Sequence, residues 1–173
     1  MNHNYTAHCQ NVTIRPLQTG DIEFLRVWRN DENNTKYLRK LPYITQDMQK
    51  KWYENYLQNE DEFCFSIIET ELQRVVGSLS LYNFKGNTAE FGKILIGDSE
   101  AHGRNTGYNA IMAVIGIAFN ELHLERIVLR VYAENSKALH LYEKVGFRLV
   151  SGGISEGMEE YHMELTQKDI EKI

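Results

Sequence analysis

The sequence ILIGDSEAHGRNTGY, residues 94–108, decides the fold of this chain. An apolar run ends at Gly97, and a glycine-bearing turn follows before a long amphipathic stretch begins at Gly107. The first N–H groups of a helix have no carbonyl partner within it, and the positive end of the helix dipole strengthens their attraction for an anion. Glycines in the turn let such an anion approach the main chain closely. The stretch therefore predicts a strand, a phosphate-binding turn and a helix.

Length, charge and cysteine content limit the class of protein. With 173 residues, 42% of them apolar, the chain is long enough to bury one substantial core. We expect a single domain over 1–173, with a loose N-terminal segment over 1–11 and a C-terminal tail over 166–173. A formal charge of -5 disfavours a nucleic-acid partner. The sequence shows no membrane-length apolar run and no signal peptide, so we expect no membrane association and a cytoplasmic location. Two cysteines, outside any metal-ligand spacing, predict free thiols and no metal site.

Hydrophobic periodicity predicts an α/β (α+β) fold. Strands are predicted at 12–15, 63–68, 74–82, 88–96, 127–132, 147–150 and 159–165, and helices at 22–30, after residue 45, at 107–122 and at 136–145. The order predicts a mixed, mostly antiparallel sheet of about seven strands flanked by four helices, with one parallel crossover after the glycine-bearing turn. Thr45 is a predicted N-cap, Asn135 or Ser136 is the predicted N-cap of the last helix, and Gly146 is a predicted left-handed helix end. Gly92 inside a strand predicts a β-bulge or a site where another group approaches the backbone closely, and the bulge is the expectation used below.

The turn His102-Gly103-Arg104-Asn105-Thr106-Gly107 fits neither the Walker loop nor the dinucleotide fingerprint. It resembles the pyrophosphate loop of the GNAT superfamily of N-acetyltransferases, Q/R-x-x-G-x-G/A, which binds the diphosphate of coenzyme A. His102 stands where Gln or Arg is usual, and Asn105 where Gly is usual. Asn accepts positive φ better than most residues, so the backbone shape is compatible. These two departures motivate an alternative: a coenzyme A-binding regulatory or partner-binding module without turnover.

Residues 135–147, NSKALHLYEKVGF, are similar to a later signature of the same superfamily, N-x-x-A-x-x-L-Y-x-K-x-G-F, at every fixed position. The resemblance follows the element order from about 12 to 165 and is residue-specific between 90 and 147. It is nearest to the branch that contains ribosomal-protein N-terminal, spermidine and amino-sugar-nucleotide acetyltransferases. The resemblance implies transfer of an acetyl group from acetyl-CoA, as cosubstrate, to a primary amine.

The resemblance also implies a set of cofactor-binding residues. The main chain of Ile94, Leu95 and Ile96 would pair with the pantetheine arm, in an opening between strands 88–96 and 127–132. The diphosphate and its surroundings would involve His102, Gly103, Arg104, Asn105, Thr106, Gly107, Tyr108, Asn135 and Lys137. Lys144 is a further candidate for a phosphate contact. A plain N-cap is the alternative role of Asn135, and a solvated surface position is the alternative for Arg104, Lys137 and Lys144.

Amine acetylation needs a neutral amine and a proton for the departing thiolate. Glu90, at the head of the strand that leads to the cofactor edge, is the predicted base, acting directly or through water. A solvated strand-end glutamate is the alternative. Tyr142 matches the family tyrosine that protonates the coenzyme A thiolate, and a tyrosine packed on an apolar helix stripe is the alternative. No serine or cysteine has a convincing base, so we expect direct attack on the thioester.

Acceptor pockets in this fold are built largely from the first two helices and the late hairpin, here 31–52 and 151–161. In and beside these segments lie aromatic residues and acids, which suit an amino sugar, a polyamine or a peptide N-terminus: Tyr37, Tyr43, Trp52, Tyr53, Tyr161, Glu156, Glu159 and Glu160. The run 60–62 is interpreted as surface charge, as are Asp31 and Glu32, although the latter pair would suit a cationic acceptor. The resemblance also suggests a homodimer formed through the late strands.

Overall fold

The computed structural model describes residues 2–38 and 41–170. Its strands are β1 (Ala7–Cys9), β2 (Val12–Pro16), β3 (Glu62–Glu69), β4 (Arg74–Lys85), β5 (Thr88–Ile96), β6 (Arg126–Tyr132), β7 (Arg148–Ser155) and β8 (Met158–Thr166). Its helices are α1 (Ile22–Asn30), α2 (Glu32–Thr35), α3 (Gln46–Tyr56), α4 (Thr106–Gly116), α5 (Ser136–Val145) and α6 (Gln167–Ile170). A π-helical turn over Ile117–Glu121 follows α4.

All eight strands form one sheet in the order β1-β2-β3-β4-β5-β6-β8-β7. Every neighbouring pair is antiparallel except β5 and β6, which run parallel and are joined through α4. The predicted α/β fold class, with its mixed, mostly antiparallel sheet and one parallel crossover, is confirmed. The eighth strand is β1, and the two helices beyond the predicted four, α2 and α6, have four residues each.

The expected loose N-terminal segment is wrong for residues 2–11. Strand β1 pairs with β2 from Ala7 opposite Ile14 to Cys9 opposite Val12. Ahead of it, His3 is 7% exposed, and its Nε2 lies 3.1 Å from the carbonyl oxygen of Cys64. Asn2 donates to the carbonyl oxygen of Glu62. The segment shows no hydrophobic periodicity, so the sequence did not predict that the polar side chains of Asn2 and His3 tie it to β3.

The predicted helix boundaries follow from local chemistry. Thr45 accepts a hydrogen bond from Met48 N at the start of α3, and Asn135 accepts one from Ala138 N at the start of α5. Gly146 ends α5 with φ of 110°. These three predictions are confirmed. The predicted strand 147–150 is too short, because β7 continues to Ser155 and forms a hairpin with β8.

The two faces of the sheet differ. Helix α4, uniformly apolar apart from its first residues, covers the face formed by buried side chains such as Ile14, Phe65, Leu79 and Phe91. On the other face, α1 and α3 pack over β2 and β3 through a smaller cluster that includes Leu25 and Tyr53. Beyond that cluster, β3 and β4 present polar side chains toward α1 and α3, and this arrangement leaves space for a site.

Candidate active site

Strands β5 and β6 separate along their length. Their pairing is limited to three positions, from Thr88 opposite Arg126 to Glu90 opposite Val128, although β5 runs on to Ile96 and β6 to Tyr132. Meanwhile β6 stays paired with β8 as far as Tyr132. The opening predicted between these strands is therefore present. It exposes an edge of β5 to which an extended ligand with amide groups can bond as an added strand.

A β-bulge lies on β5, but not at Gly92 as predicted. The pairing with β4 shifts between Gly92 and Leu95, and Lys93 adopts φ of 53°. The distortion is thus centred one residue later, on a side chain that is rarely left-handed. A Cβ at Gly92 would lie 2.8 Å from the hydroxyl of Tyr82. Gly92 therefore serves close packing, and the bulge turns β5 away from β6 beyond Glu90.

The turn before α4 has the geometry of an anion site. The first hydrogen bond of the helix runs from Asn109 N to Asn105 O, so the N–H groups of Thr106, Gly107 and Tyr108 have no helical carbonyl to bond. Asn105 is left-handed with φ of 59°, as its sequence position predicts. Gly103 has φ of 76° and open space where a Cβ would stand. No acidic side chain occupies the first turn of α4. The turn therefore fits a diphosphate.

Three predicted cofactor residues make contacts within the protein. His102 Nε2 lies 3.0 Å from the carbonyl oxygen of Ile96, so this histidine fastens the turn to the end of β5. Arg104 pairs with Glu71 at 2.8 Å and donates to the carbonyl oxygen of Glu100. Thr106 Oγ1 donates to the carbonyl oxygen of Ala101. These contacts shape the turn and leave its main-chain N–H groups as the donors for a ligand.

Helix α5 brings further groups beside this turn. Lys144 Nζ stands 4.8 Å from the ring centre of Tyr108, which places a cation at the start of α4. Asn135 serves as the N-cap, and Lys137 is exposed in the first turn of α5. The structure therefore gives Asn135 a local role, and it places Lys144, one of the predicted phosphate contacts, beside the turn.

Tyr142 lies on α5 against β5. Its ring packs edge-on against Phe91, with centroids 6.1 Å apart, and against Phe147 at 5.9 Å. Burial raises the pKa of Tyr142 to about 12, so the hydroxyl stays protonated at neutral pH. Phe91 follows the last residue of β5 that pairs with β6, and this places Tyr142 where the two strands begin to separate. The position suits an acid at the base of the opening.

Glu90 is held by four hydrogen bonds. Oε1 accepts from the Tyr82 hydroxyl at 2.9 Å and from Arg130 Nε at 3.0 Å. Oε2 accepts from Asn83 Nδ2 at 2.9 Å and from Arg130 Nη2 at 3.2 Å. With both oxygens engaged, taking a proton from an amine would require giving up one of these bonds. The contacts give Glu90 a clear structural role, joining β4, β5 and β6 where the strands diverge.

A cavity of about 530 Å³ lies on the face of the sheet that α1 and α3 cover, within the usual size range for small-molecule sites. Its floor is made by side chains of β3, β4 and β5, among them Lys93 and Leu95. Its walls are largely apolar and come from α1, α3 and the segment between them, including Leu25, Met48 and Trp52. Because Lys93 and Leu95 belong to β5, the cavity borders the strand whose edge is open.

Glu62 lies on the floor of this cavity, which corrects its interpretation as surface charge. It is 8% exposed, and its Oε1 accepts hydrogen bonds from Lys93 Nζ at 2.7 Å and Ser80 Oγ at 3.0 Å. The sequence predicts a strand start at Phe63, which leaves Glu62 in a polar run. Extending the alternation of Cys64 and Ser66 by two residues would have placed it on the same face.

The predicted acceptor residues divide into two groups. Tyr37 and Trp52 line the cavity, as predicted. The remaining predicted aromatic residues and acids are not among the described residues that line it: Tyr43, Tyr53, Tyr161, Glu156, Glu159 and Glu160. Because α3 turns Tyr53 into the core and β7 and β8 lie at the far side of β6, these side chains are directed to other environments. The sequence prediction named whole segments, so it did not distinguish the side of α3 that faces the cavity from the side that packs into the core.

Cysteine and metal chemistry add little to the site. Cys9 and Cys64 are free thiols, as predicted. Cys64 lines the cavity, but burial raises its pKa to about 12, so it remains a weakly nucleophilic thiol. Within residues 2–38 and 41–170, no group of His, Cys, Asp or Glu has the arrangement of a metal site. No helix in the same part of the chain has the length and apolar character needed to cross a membrane.

The open edge of β5, the N-terminus of α4 beside it and the adjacent cavity together are typical of one class of enzyme, the acyl-CoA-dependent transferases. Residues 11–148 match the family model described as an acetyltransferase (GNAT) domain. The chain belongs to this family and is an acetyl-CoA-dependent N-acetyltransferase.

Similar proteins agree with this assignment. Spermidine N(1)-acetyltransferase from Vibrio cholerae is 29% identical over 94% of this chain and 91% of its own length. The enzyme of the same name from Escherichia coli K12 is 27% identical over 82% of this chain and 74% of its own length. A crystal structure of the Vibrio cholerae enzyme in complex with CoA and spermine superimposes with a TM-score of 0.84 at 26% identity, covering 92% of this chain and 98% of that one.

Proposed function

We propose that this chain acetylates a primary amine of a small molecule that binds in the cavity with its nitrogen directed toward Glu62. The observation that supports this proposal is a nearly buried carboxylate on the floor of an apolar cavity that borders the open edge of β5. A carboxylate in such surroundings binds an ammonium group strongly, because little water competes for either charge.

The hydrogen bonds of Glu62 favour it over Glu90 as the group that meets the amine. Both bonds from Ser80 and Lys93 go to Oε1 of Glu62, and none of the described side chains donates to its Oε2. Both oxygens of Glu90 are engaged instead. Glu62 can therefore accept a proton or a hydrogen bond from the substrate without losing its existing partners.

The chemistry that these residues support is direct acyl transfer. An alkylammonium at pH 7.4 must first lose a proton, at a cost of about 4 kcal/mol in water. The apolar walls of the cavity reduce this cost by disfavouring the charged form, and Glu62 takes the proton. The neutral nitrogen then attacks the thioester carbonyl carbon and the carbon–nitrogen bond forms. As the carbon–sulfur bond breaks, the nitrogen releases its second proton to solvent, from which Tyr142 regains the proton that it donates. Tyr142 supplies a hydrogen bond or proton to the departing thiolate.

The cosubstrate side of the proposal uses the open strand and the turn. The main chain of Ile94 and Leu95 would bond to the pantetheine arm along the edge of β5. The N–H groups of Thr106, Gly107 and Tyr108 would hold the diphosphate, with Lys144 beside them. His102 and Arg104 would act by shaping the turn through their contacts with Ile96 and Glu71.

Thiol release from acetyl-CoA, with mass detection of the acetylated product, tests the proposal on a panel of primary amines that includes spermidine. We expect turnover of at least one small amine. In Glu62→Gln, kcat should fall because the proton acceptor is lost. KM for that amine should rise by roughly 10-fold or more, as expected for loss of a charged hydrogen bond, while KM for acetyl-CoA is kept.

Glu90→Gln is the matched control, because both glutamates are 8% exposed. We expect this change to lower thermal stability by leaving Arg130 without its carboxylate, and to leave KM for the amine unaltered. A selective loss of kcat in Glu90→Gln, with no effect in Glu62→Gln, would instead assign the base to Glu90. Tight acetyl-CoA binding without any product across the panel would support the regulatory-module alternative.

The assembly and location of the protein remain predictions. Leu149, Val150 and Ile154 on the edge strand β7 are exposed, which supports a homodimer formed through the late strands. Sedimentation of the purified chain tests this directly. A cytoplasmic location is proposed because the cosubstrate acetyl-CoA is used there.

A further inference from the structure

Arg29 differs from the other arginines of the described chain. Seven of them pair with a carboxylate: Arg15, Arg26, Arg74, Arg104, Arg126, Arg130 and Arg148. Arg29 pairs with none of the described residues, although it is the one arginine in that part of the chain that lines the cavity. Its guanidinium is therefore a positive charge at a small-molecule site, with no carboxylate partner among residues 2–38 and 41–170.

The surroundings of Arg29 make this charge costly. It projects from α1 beside Leu25, and the neighbouring walls include Leu38, Ile44 and Met48. Burial lowers the pKa of Arg29, although an arginine remains protonated at any neutral pH. A protein retains a half-buried cation without a partner where a ligand supplies the missing anion, since an unpaired charge is otherwise destabilising.

The charged residues that line the cavity indicate the kind of acceptor that fits it. Among the described lining residues, Arg29 and Lys93 are cationic and Glu62 is anionic. Lys93 and Glu62 already pair at 2.7 Å, so Arg29 is the charge left over. A polyamine carries further ammonium groups, and one of these would meet Arg29 with like charge. A molecule with an amine at one end and an anion at the other satisfies both Glu62 and Arg29.

We infer that the acceptor carries a carboxylate or phosphate group in addition to its primary amine, and that Arg29 binds this anionic group. This inference rests on the proposed function, because it assumes that the amine enters the same cavity. A guanidinium presents two parallel N–H donors to two anionic oxygens, which fixes the orientation of the acceptor as well as its affinity. Arg29 is thus a specificity-determining residue, and it selects against polyamines.

Matched acceptors test the inference. One set has a four-carbon chain: 4-aminobutanoate, 1-aminobutane and 1,4-diaminobutane. A second set pairs glucosamine with glucosamine 6-phosphate and separates phosphate from carboxylate. We expect kcat/KM of the wild-type protein for the anionic member of at least one set to exceed that of the neutral member about 10- to 100-fold, the range for a hydrogen bond to a charged group.

Two variants of Arg29 and one control complete the design. Arg29→Gln should abolish the preference for the anionic acceptor, because kcat/KM falls far more for the anionic acceptor than for the neutral amine. Arg29→Lys, which keeps the charge and loses the paired donors, should restore part of the preference. Arg126→Gln, an exposed arginine outside the cavity, should leave the preference intact.

Binding of the anionic acceptors, followed by calorimetry in the presence of coenzyme A, gives a readout that does not depend on turnover. Weaker binding of 4-aminobutanoate or glucosamine 6-phosphate to Arg29→Gln than to wild type supports the inference. Equal binding by the two proteins, or a wild-type preference for 1,4-diaminobutane that Arg29→Gln does not change, overturns it. Absence of turnover with every amine, together with Arg29-dependent anion binding, would refute the proposed function alone.

Discussion

Replacing Tyr142 with Phe separates catalysis from packing. The ring keeps its contacts with Phe91 and Phe147, and only the hydroxyl oxygen is lost. Burial raises the pKa of this hydroxyl from 10.0 to about 12, which corresponds to a preference of about 3 kcal/mol for the protonated form. Tyr142 is therefore a hydrogen-bond donor throughout the working pH range, and no described residue accepts that hydrogen bond.

These facts set the expected magnitudes. The free energy of unfolding of Tyr142→Phe should lie within about 1 kcal/mol of wild type, because no internal hydrogen bond is broken. The value of kcat should fall roughly 100- to 10,000-fold, the usual contribution of a positioned general acid, equal to about 2.7–5.4 kcal/mol of barrier. Thiol release at saturating acetyl-CoA and urea denaturation measure the two quantities.

Tyr53→Phe is the matched control. Tyr53 is 8% exposed and Tyr142 7%, but the Tyr53 hydroxyl donates to the carbonyl oxygen of Leu17 at 3.3 Å. We expect the control to lose about 0.5–1.5 kcal/mol of stability with kcat kept, which is the opposite pattern. Equal kcat in wild type and Tyr142→Phe would refute the assignment of Tyr142 as the acid.

Two further predictions concern stability. In Gly97→Ala, the added Cβ would stand 2.1 Å from the indole of Trp28, so we expect the free energy of unfolding, followed by tryptophan fluorescence, to fall by about 1–3 kcal/mol. Gly20→Ala is the control and should be neutral, because a Cβ there meets nothing within 4 Å. Equal stability of the two variants would contradict the packing argument. Burial of Asp21 acts to raise its pKa, but hydrogen bonds from Arg15, Ser66 and Gln18 N together with the charge of Arg15 lower the pKa overall. Because the folded-state pKa is depressed, the stabilisation is full above the unfolded value of about 3.9 and is lost as pH falls through the folded value. Asp21→Asn should therefore be less stable than wild type by about 2–4 kcal/mol at pH 7. Denaturation curves should show this difference in the free energy of unfolding becoming smaller below about pH 4. A difference independent of pH would show that the charge of Asp21 is not involved.

Local chemistry predicted much of the fold. Caps at Thr45 and Asn135, the left-handed Gly146 and the turn before α4 depend on neighbouring residues, so their patterns were visible in the sequence. The alternation and length of the apolar runs gave seven of the eight strands. The eighth, β1, has three residues and no apolar alternation, and its place comes from pairing with β2.

The site was predicted unevenly for the same reason. The motif residues from Gly103 to Tyr108, together with Tyr142, lie within continuous signatures, and the structure brings them to the open side of β5. Lys144 occupies a fixed position of the signature over 135–147, with a phosphate contact and a solvated surface position as its two predicted roles. Glu62 and Arg29 belong to separate elements, and no sequence pattern assigned either of them to the acceptor site. Their candidate roles depend on which residues lie next to them in the folded protein.

The sequence by itself determined the cosubstrate side of this protein, because a helix N-terminus and a strand edge are made by residues adjacent in the chain. Only the tertiary structure decided the acceptor side, since burial and charge pairing are properties of space rather than of sequence order. Folding placed Glu62 under α3 and left Arg29 without a carboxylate among the described residues, while Glu90 received four hydrogen bonds from two neighbouring strands. Those long-range contacts set which of the three charges can meet a substrate.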